Sequence, residues 1–181
     1  MPDAEPPVYE ARFGFDRRTS LVVLICAVFT ACAFLPDMPP GIRIASLVLF
    51  GGGGLVMAAG ALTRRVALRV DASGVLLGGS PLRYRATTAH VPWKDIEAVA
   101  LWSQSVPHSS IPYVGLVRHE GAPPLPGPQG RTARAVGGAL VPVPFEVLMA
   151  SRAVNGWRLD TPRLAAAVTH FAPHVRMVGR H

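Results

Sequence analysis

The sequence predicts an α+β protein: an N-terminal transmembrane helical hairpin, followed by an antiparallel β-barrel or sandwich of six to seven strands that a C-terminal α-helix caps. Three observations predict this fold. Two apolar stretches of membrane-spanning length lie near the N-terminus, and beyond residue 65 the apolar residues recur with a period of two. A capped amphipathic pattern then ends the chain. At 181 residues, the chain has room for one soluble domain beside the hairpin.

Residues 19–35 and 44–63 are the two predicted transmembrane helices. Neither stretch contains a charged residue, and each is close to the roughly 17 to 25 residues that cross a bilayer core. The loop between them, 36–43, contains the helix-breaking sequence Pro-Asp-Met-Pro-Pro-Gly and is too short to hold structure of its own. The two helices are therefore expected to be antiparallel neighbours.

Arginines mark one end of the predicted hairpin. The positive-inside rule then predicts a multi-pass protein of the plasma membrane with both termini cytoplasmic, and residues 1–18 form a cytoplasmic tail. Arg17-Arg18 before an apolar run also resembles a twin-arginine export signal, but the second apolar stretch argues against export. The flanking arginines are Arg12, Arg17 and Arg18 before the hairpin and Arg64, Arg65 and Arg69 after it, against Arg43 alone near the loop.

Four consecutive glycines, Gly51 to Gly54, lie in the middle of the second apolar stretch. They lack the Lys and Ser/Thr of a phosphate-binding P-loop, so close helix packing is the favoured interpretation. The predicted helix-packing residues are Gly51, Gly54 and Ala58. The same small-residue spacing would equally serve a homo-oligomer formed through the transmembrane helices.

Residues 64–178 form the predicted cytoplasmic domain. Asp71 to Gly74 has the composition of a turn between two strands, and the Gly- and Pro-rich stretch 121–138 is expected to be an exposed loop. A helix is predicted over 161–171, with Thr161 as N-cap and Pro162 as its first residue. Strands are predicted at 66–71, 75–77, 82–87, 96–102, 113–118, 140–143 and 146–151, of which the last is equally compatible with a helix.

Positive charge is concentrated beyond the hydrophobic region, because residues 64–181 carry 14 basic and 6 acidic side chains. Such an excess would favour anionic lipid headgroups or an acidic protein partner. These arginines are scattered and not arranged in a stripe with stacking aromatics, so nucleic acid is not an expected partner. The candidate contacts to a membrane surface or partner are Arg64, Arg65, Arg69, Arg83, Arg85, Arg131 and Arg134.

No catalytic or metal-binding pattern withstands inspection. His170 and His174 have helical metal-pair spacing, but Pro173 interrupts the helix between them. The Ser- and His-containing segment 103–119 lacks the G-x-S-x-G elbow of a serine hydrolase. We therefore expect no enzyme activity, cofactor or metal.

Three segments carry a resemblance to a known family: DASGV (Asp71–Val75), VPWKDIEAV (Val91–Val99) and GWRLDTPRLAAAV…FAPHV (Gly156–Val175). On these, the chain resembles actinobacterial membrane proteins that carry a bacterial PH-like domain, of the pleckstrin-homology superfold, behind two transmembrane helices. The resemblance covers most of residues 19–178. It implies a non-enzymatic interaction domain that binds lipid headgroups, peptides or proteins.

The sequence thus predicts a membrane-anchored, non-enzymatic PH-like module at the inner face of the plasma membrane, which binds an anionic lipid surface or a protein partner. The alternative is an exported or surface-anchored enzyme that uses the Ser/His-containing segment 103–119. The two hypotheses place the C-terminal domain on opposite sides of the membrane.

Overall fold

The computed structural model describes residues 8–80, 83–106, 109–126 and 145–180, and it has an α+β fold with two four-stranded sheets. The strands are β1 (Tyr9–Arg12), β2 (Val66–Asp71), β3 (Gly74–Leu77), β4 (Ala89–Pro92), β5 (Ile96–Val106), β6 (Ser109–Arg118), β7 (Ser151–Ala153) and β8 (Arg176–Arg180). The helices are α1 (Arg17–Cys32), α2 (Pro40–Leu62), α3 (Tyr84–Thr87), α4 (Phe145–Met149) and α5 (Thr161–Phe171).

The chain divides into two compact units. The helical unit comprises Arg12–Arg65 together with Gly156–Arg158. The strand-rich unit comprises Met1–Ala11, Val66–Asn155 and Leu159–His181.

In the helical unit, α1 begins at a strong N-cap, because the Asp16 carboxylate accepts a hydrogen bond of 2.7 Å from the Thr19 amide. Helix α1 has 16 residues and ends at Cys32, three residues before the predicted end. Helix α2 has 23 residues and begins at Pro40, four residues before the predicted start, since Pro at the first helical position costs no hydrogen bond.

Within the described part of the chain, α2 is the one helix long and apolar enough to cross a membrane. At about 1.5 Å per residue, α2 is about 35 Å long and α1 about 24 Å, against a hydrocarbon core of about 30 Å. Of the two predicted spans, one, α2, passes this test of length and apolarity, and the described residues show no second. Residues Leu47–Gly52 of α2 adopt a wider π-helical turn, which the apolar pattern did not indicate.

In the strand-rich unit, the first sheet has the order β1-β2-β3-β4 and the second has the order β7-β6-β5-β8. The turn predicted at Asp71 to Gly74 is present, because Asp71 pairs with Gly74 at the end of the β2–β3 hairpin. Strands β5 and β6 form a long antiparallel hairpin, whereas β5 and β8 are parallel. The described strands form two sheets and no closed barrel.

A hydrophobic core lies beneath both sheets and α5. The fully buried side chains come from β2, β3, β4, β5, β6 and α5, and α5 packs against β2. Leu164 and Val168 carry the apolar face of α5, as the helical pattern indicated. The largest fully buried side chains are Leu68, Leu77, Ile96, Leu116, Leu164, Val70, Val75, Val91, Val99, Val114 and Val168.

Several elements of this unit differ from the expectation. The strand predicted at 82–87 is wrong: Tyr84–Thr87 is a helical turn, and residues 81–82 lie outside the described residues. Residues 146–151 begin as helix and only Ser151 is in a strand. The helix over 161–171 has the predicted bounds, but its N-cap is Asp160 and not Thr161, because the Asp160 carboxylate accepts from the Arg163 amide.

Three strands were not expected. Ala89–Pro92 falls in a segment to which no strand was assigned. Tyr9–Arg12 falls in the segment assigned to an N-terminal tail, and Arg176–Arg180 follows the helix that was expected to end the fold. The structure therefore has eight strands in its described part instead of six or seven. The predicted strand at 140–143 and most of the loop at 121–138 lie outside the described residues.

Candidate functional site

The surface of the helical unit is unusually apolar. Large hydrophobic side chains project outward from α1, where Leu24 is 61% exposed, and from α2, where Leu49 is 67% and Leu55 is 71% exposed. A contiguous apolar surface of this kind marks a contact with a protein or a membrane. The full set of such side chains on the two helices is Leu21, Leu24, Ile25, Val28, Phe29, Ile42, Ile44, Val48, Leu49, Leu55, Val56 and Leu62.

Small residues let α1 and α2 pack closely and antiparallel. A Cβ atom built on Gly54 would lie 2.8 Å from the Cβ atom of Cys26, so only glycine fits there. One at Gly51 would make ordinary contact with Thr30, at 3.6 Å. Ala58 lines the apolar groove between the two helices.

Contacts nearer the loop join the same two helices. The rings of Phe29 and Phe50 stack with centroids 4.6 Å apart, and the Ser46 hydroxyl donates to the Phe29 carbonyl at 3.1 Å. Because the residue numbers in these pairs rise on one helix as they fall on the other, the N-terminal end of α1 lies beside the C-terminal end of α2.

That end of the helical unit carries six arginines. The guanidinium of Arg12 donates to the Arg64 carbonyl at 3.4 Å, and the Phe13 amide donates to the Arg65 carbonyl at 2.9 Å. The Gly14 amide donates to the Gly156 carbonyl at 2.8 Å, which ties the segment Gly156–Arg158 to the same place. We call this set the basic end: Arg12, Arg17, Arg18, Arg64, Arg65 and Arg158, all exposed.

A cavity of about 250 Å³ opens within the basic end. Arg12 and Arg158 contribute its positive charge, and the buried ring of Trp157, which is 3% exposed, forms part of its wall. The complete lining is Arg12, Gly14, Phe15, Asp16, Trp157 and Arg158. Two guanidinium groups at one small cavity suit a phosphate or carboxylate ligand.

Asp16 is the single acidic side chain of this cavity. Burial acts to raise the pKa of Asp16, but the hydrogen bonds from Thr19 and the charge of Arg158 outweigh it and hold the pKa below its ordinary value of 3.8. The carboxylate is therefore ionised at neutral pH and serves as the N-cap of α1. With two arginines and one carboxylate, the lining carries a net charge of +1.

Three other predicted contact residues, Arg69, Arg83 and Arg85, lie in the strand-rich unit. Arg69 on β2 is engaged in ion pairs, at 2.9 Å to Asp71 and 3.7 Å to Glu10. Arg83 and Arg85 are exposed, at the start of α3 and within it. Arg131 and Arg134 lie outside the described residues. Of the predicted set, the structure thus brings together Arg64 with Arg65 and Arg83 with Arg85.

The turn that carries Arg83 and Arg85 is fixed by hydrogen bonds. The hydroxyls of Thr87 and Thr88 accept from the Ser80 and Gly79 amides and donate to carbonyls one helical turn back. The Tyr84 hydroxyl donates to the Val66 carbonyl at 2.8 Å. Such side-chain bonds to the backbone compete with strand formation, which explains why this segment is helical. The turn therefore holds its arginines at the start of β2.

In its described residues, the Ser- and His-containing segment 103–119 forms the β5–β6 hairpin. Ser103 lies opposite Pro112, and His119 follows the far end of β6. Positions 112 and 119 are seven residue steps apart, or about 23 Å at about 3.3 Å per residue, so His119 is too far from Ser103 to act as its base. His108, the other histidine of the segment, lies outside the described residues.

Arg12, Phe15 and Arg158 were not among the predicted contact residues. Arg12 was recognised only as a marker of orientation, and Arg158 lies 146 residues after it in the sequence. The pairing of Gly156-Trp157-Arg158 with the start of α1 has no local signal, because an irregular segment forms it.

In the part of the chain that the structure describes, no cluster of His, Cys, Asp and Glu suits a metal ion. Comparisons of the chain with protein-family models, curated proteins and solved structures give no match.

Proposed function

We propose that this protein is a membrane-anchored, non-enzymatic interaction module, held in the plasma membrane by α1 and α2, with its basic end against the anionic headgroups of the cytoplasmic leaflet. The observation that carries the proposal is the coincidence, in one compact unit, of an apolar surface along both helices with six arginines at one end. In water the arginines would be hydrated, but the apolar surface of the helices would be unfavourably exposed. At a bilayer interface the arginines contact water and headgroups while the helices contact hydrocarbon.

The apolar surface supports insertion of the helical pair. Each large side chain that leaves water contributes about 1.5 to 3 kcal/mol, and a dozen such side chains point outward from α1 and α2. Helix α2 is long enough to cross the hydrocarbon core, and α1 inserts beside it, with Ala33, Phe34 and Leu35 completing the apolar stretch. Their antiparallel contacts return the chain to the side from which it entered.

The basic end supports the orientation and the lipid contact. Basic residues are retained on the cytoplasmic side, and each one near an anionic surface contributes about 1 kcal/mol of attraction. The opposite end of the hairpin carries Asp37 and Arg43 and has no such excess. Attraction to anionic lipid therefore falls on the side where both termini lie.

For the strand-rich unit we propose a PH-like interaction domain. The succession β2-β3-β4, the β5–β6 hairpin and the helix α5 packed on β2 support this proposal, together with the sequence resemblance. The additional strand β8, parallel to β5, would be an elaboration of that fold.

Topology reporters test the proposed function against the exported-enzyme alternative. A fluorescent protein that folds in the cytoplasm and an alkaline phosphatase that is active only after export are fused, in separate strains, to the C-terminus of the full chain. We expect fluorescence and no phosphatase activity. Phosphatase activity without fluorescence would reject the proposal and place the C-terminal half outside the cell.

A further inference from the structure

We propose that the cavity lined by Arg12, Asp16, Trp157 and Arg158 is a binding site for the phosphate group of an anionic phospholipid, one molecule per chain. This inference rests on the proposed function. It adds a defined binding site to the general electrostatic attraction between the basic end and anionic headgroups. It depends on three properties of the cavity: its charges, its walls and its place along the helical pair.

The charges of the cavity match a phosphodiester. A guanidinium group donates two parallel hydrogen bonds to phosphate oxygens, and two such groups line the cavity. Because Asp16 is ionised, the net charge of the lining is +1, which equals in magnitude the single negative charge of a phosphodiester. A zwitterionic lipid, which has no net charge, gains less from such a site.

The walls and size of the cavity suit a headgroup. At about 250 Å³ it is smaller than the roughly 300 to 1,000 Å³ pockets that enclose drug-sized ligands. Gly14 adds no side chain to the lining, while Phe15 and Trp157 present aromatic surface. Trp, like Tyr, is enriched at the depth of the headgroups. The phosphate would enter the cavity and the acyl chains would remain outside, along the helices.

The position of the cavity places it at the membrane interface. It lies at the N-terminal end of α1, beside Asp16 and directly before the apolar stretch. The Gly14–Gly156 hydrogen bond of 2.8 Å holds the Trp157-Arg158 pair there. A lipid bound at this site would hold the segment Gly156–Arg158 against the bilayer. It would thereby strengthen the attachment of the helical unit to the membrane.

Native mass spectrometry of the full chain in a neutral detergent tests the inference. Phosphatidylglycerol and phosphatidylcholine with the same acyl chains are titrated separately, and the Kd of the first bound lipid is measured. We expect saturable binding of one phosphatidylglycerol and at least about tenfold weaker binding of phosphatidylcholine. Equal affinity for the two lipids would overturn the inference.

Matched variants separate the cavity from general attraction. Arg158→Gln should weaken phosphatidylglycerol binding about tenfold or more, equivalent to about 1.4 kcal/mol, whereas Arg18→Gln removes the same charge outside the cavity and should change it less than about threefold. Arg158→Lys keeps the charge but loses the paired N–H donors of the guanidinium group. Its affinity for phosphatidylglycerol should therefore lie between those of Arg158→Gln and Arg18→Gln. Unchanged circular dichroism confirms that each variant is folded.

Competition with inorganic phosphate and glycerol phosphate distinguishes the sources of the phosphate group. Displacement of the lipid by millimolar phosphate in the wild type, but not in Arg158→Gln, would support a phosphate site that is filled from solution as well. No displacement would support a site specific for lipid. Equal losses of phosphatidylglycerol affinity in Arg158→Gln and Arg18→Gln would overturn the proposed lipid site without contradicting the membrane anchor. Release of the chain from membranes by alkali would instead contradict the membrane anchor itself.

Discussion

Arg152 holds the helical turn that carries Arg83 and Arg85. Its guanidinium donates to the carbonyls of Gly78, Thr87 and Ser151, each at 2.8 Å, and so joins β7 to the segment that precedes α3. Burial lowers the pKa of Arg152, but an arginine remains protonated at neutral pH. Removing this partly buried cation is costly, because it leaves the three carbonyl acceptors without their partner.

Replacement of Arg152 by Met should lower the free energy of unfolding by about 3 kcal/mol, since about 1 to 3 kcal/mol is lost for each buried group left unpaired. The matched control is Arg176→Met, which removes an exposed ion pair with Glu97 and should cost less than about 1 kcal/mol. Denaturant unfolding of the full chain in detergent measures both. Equal effects would contradict the role assigned to Arg152.

Asp71 closes the β2–β3 turn through its charge. Its carboxylate accepts from the Ser73 hydroxyl at 2.6 Å, from the Ser73 amide at 2.9 Å and from the Arg69 side chain at 2.9 Å. The Ser73 hydroxyl bond is the main reason that the pKa of Asp71 lies below its ordinary value of 3.8. The ionised form is thus preferred in the folded protein.

The stability effect of Asp71→Asn should depend on pH. Because the folded-state pKa is lowered, the contribution of the charge is complete above about pH 4 and is lost as the pH falls through the folded pKa. At pH 7 the variant should be less stable by about 1 kcal/mol. Thermal melts from pH 7 down to pH 2 should show the difference narrowing as the pH falls below about 4, and a difference that does not narrow over this range would refute the assignment.

At the scale of elements, α1 and α2 meet through glycine. The close approach of Gly54 to Cys26 leaves no room for a methyl group, whereas a Cβ atom added to the neighbouring residue, Gly53, would have no other atom within 4 Å. Replacing glycine by alanine changes helix propensity equally at the two positions. A difference between the two variants therefore reports helix packing alone.

Gly53→Ala should leave the helical pair as stable or raise its stability, since alanine favours a helix over glycine by about 1 kcal/mol. Gly54→Ala gains the same propensity but must push Cys26 away, so its thermal midpoint in detergent should fall below that of both the wild type and Gly53→Ala. A midpoint for Gly54→Ala equal to that of Gly53→Ala would show that the helices do not pack at this position.

Local signals made several of these elements predictable. The Asp71–Gly74 turn has its characteristic residues beside alternating strands, and α5 has a proline near its start and a periodic apolar face. The strand expected at 82–87 failed because Thr87 and Thr88 bond to the backbone and fold it into a helical turn. Strand β8 was missed because its partner, β5, is about 80 residues away and parallel, which no local pattern reveals.

For the molecule as a whole, the apolar helices and their arginine flanks could be recognised from sequence, whereas the cavity could not. Hydropathy and charge can be read from consecutive residues, so Arg64 and Arg65 were identified from the sequence as candidate contacts to a membrane surface or partner. Arg158 joins Arg12 only after an irregular segment has packed against the start of α1. The arginines beside the apolar helices could therefore be predicted from sequence. The cavity could not, because it depends on the long-range packing of an irregular segment.

Insertion of the helical pair into the bilayer is the claim on which the other proposals depend. Alkaline carbonate extraction of membranes from cells that express the full chain tests it most directly, because alkali strips peripheral proteins and leaves inserted helices in place. The chain should remain in the membrane pellet, and Leu55→Arg, which puts a charge on a side chain 71% exposed on α2, should reduce that fraction. Complete release of the wild-type chain into the supernatant would contradict the account.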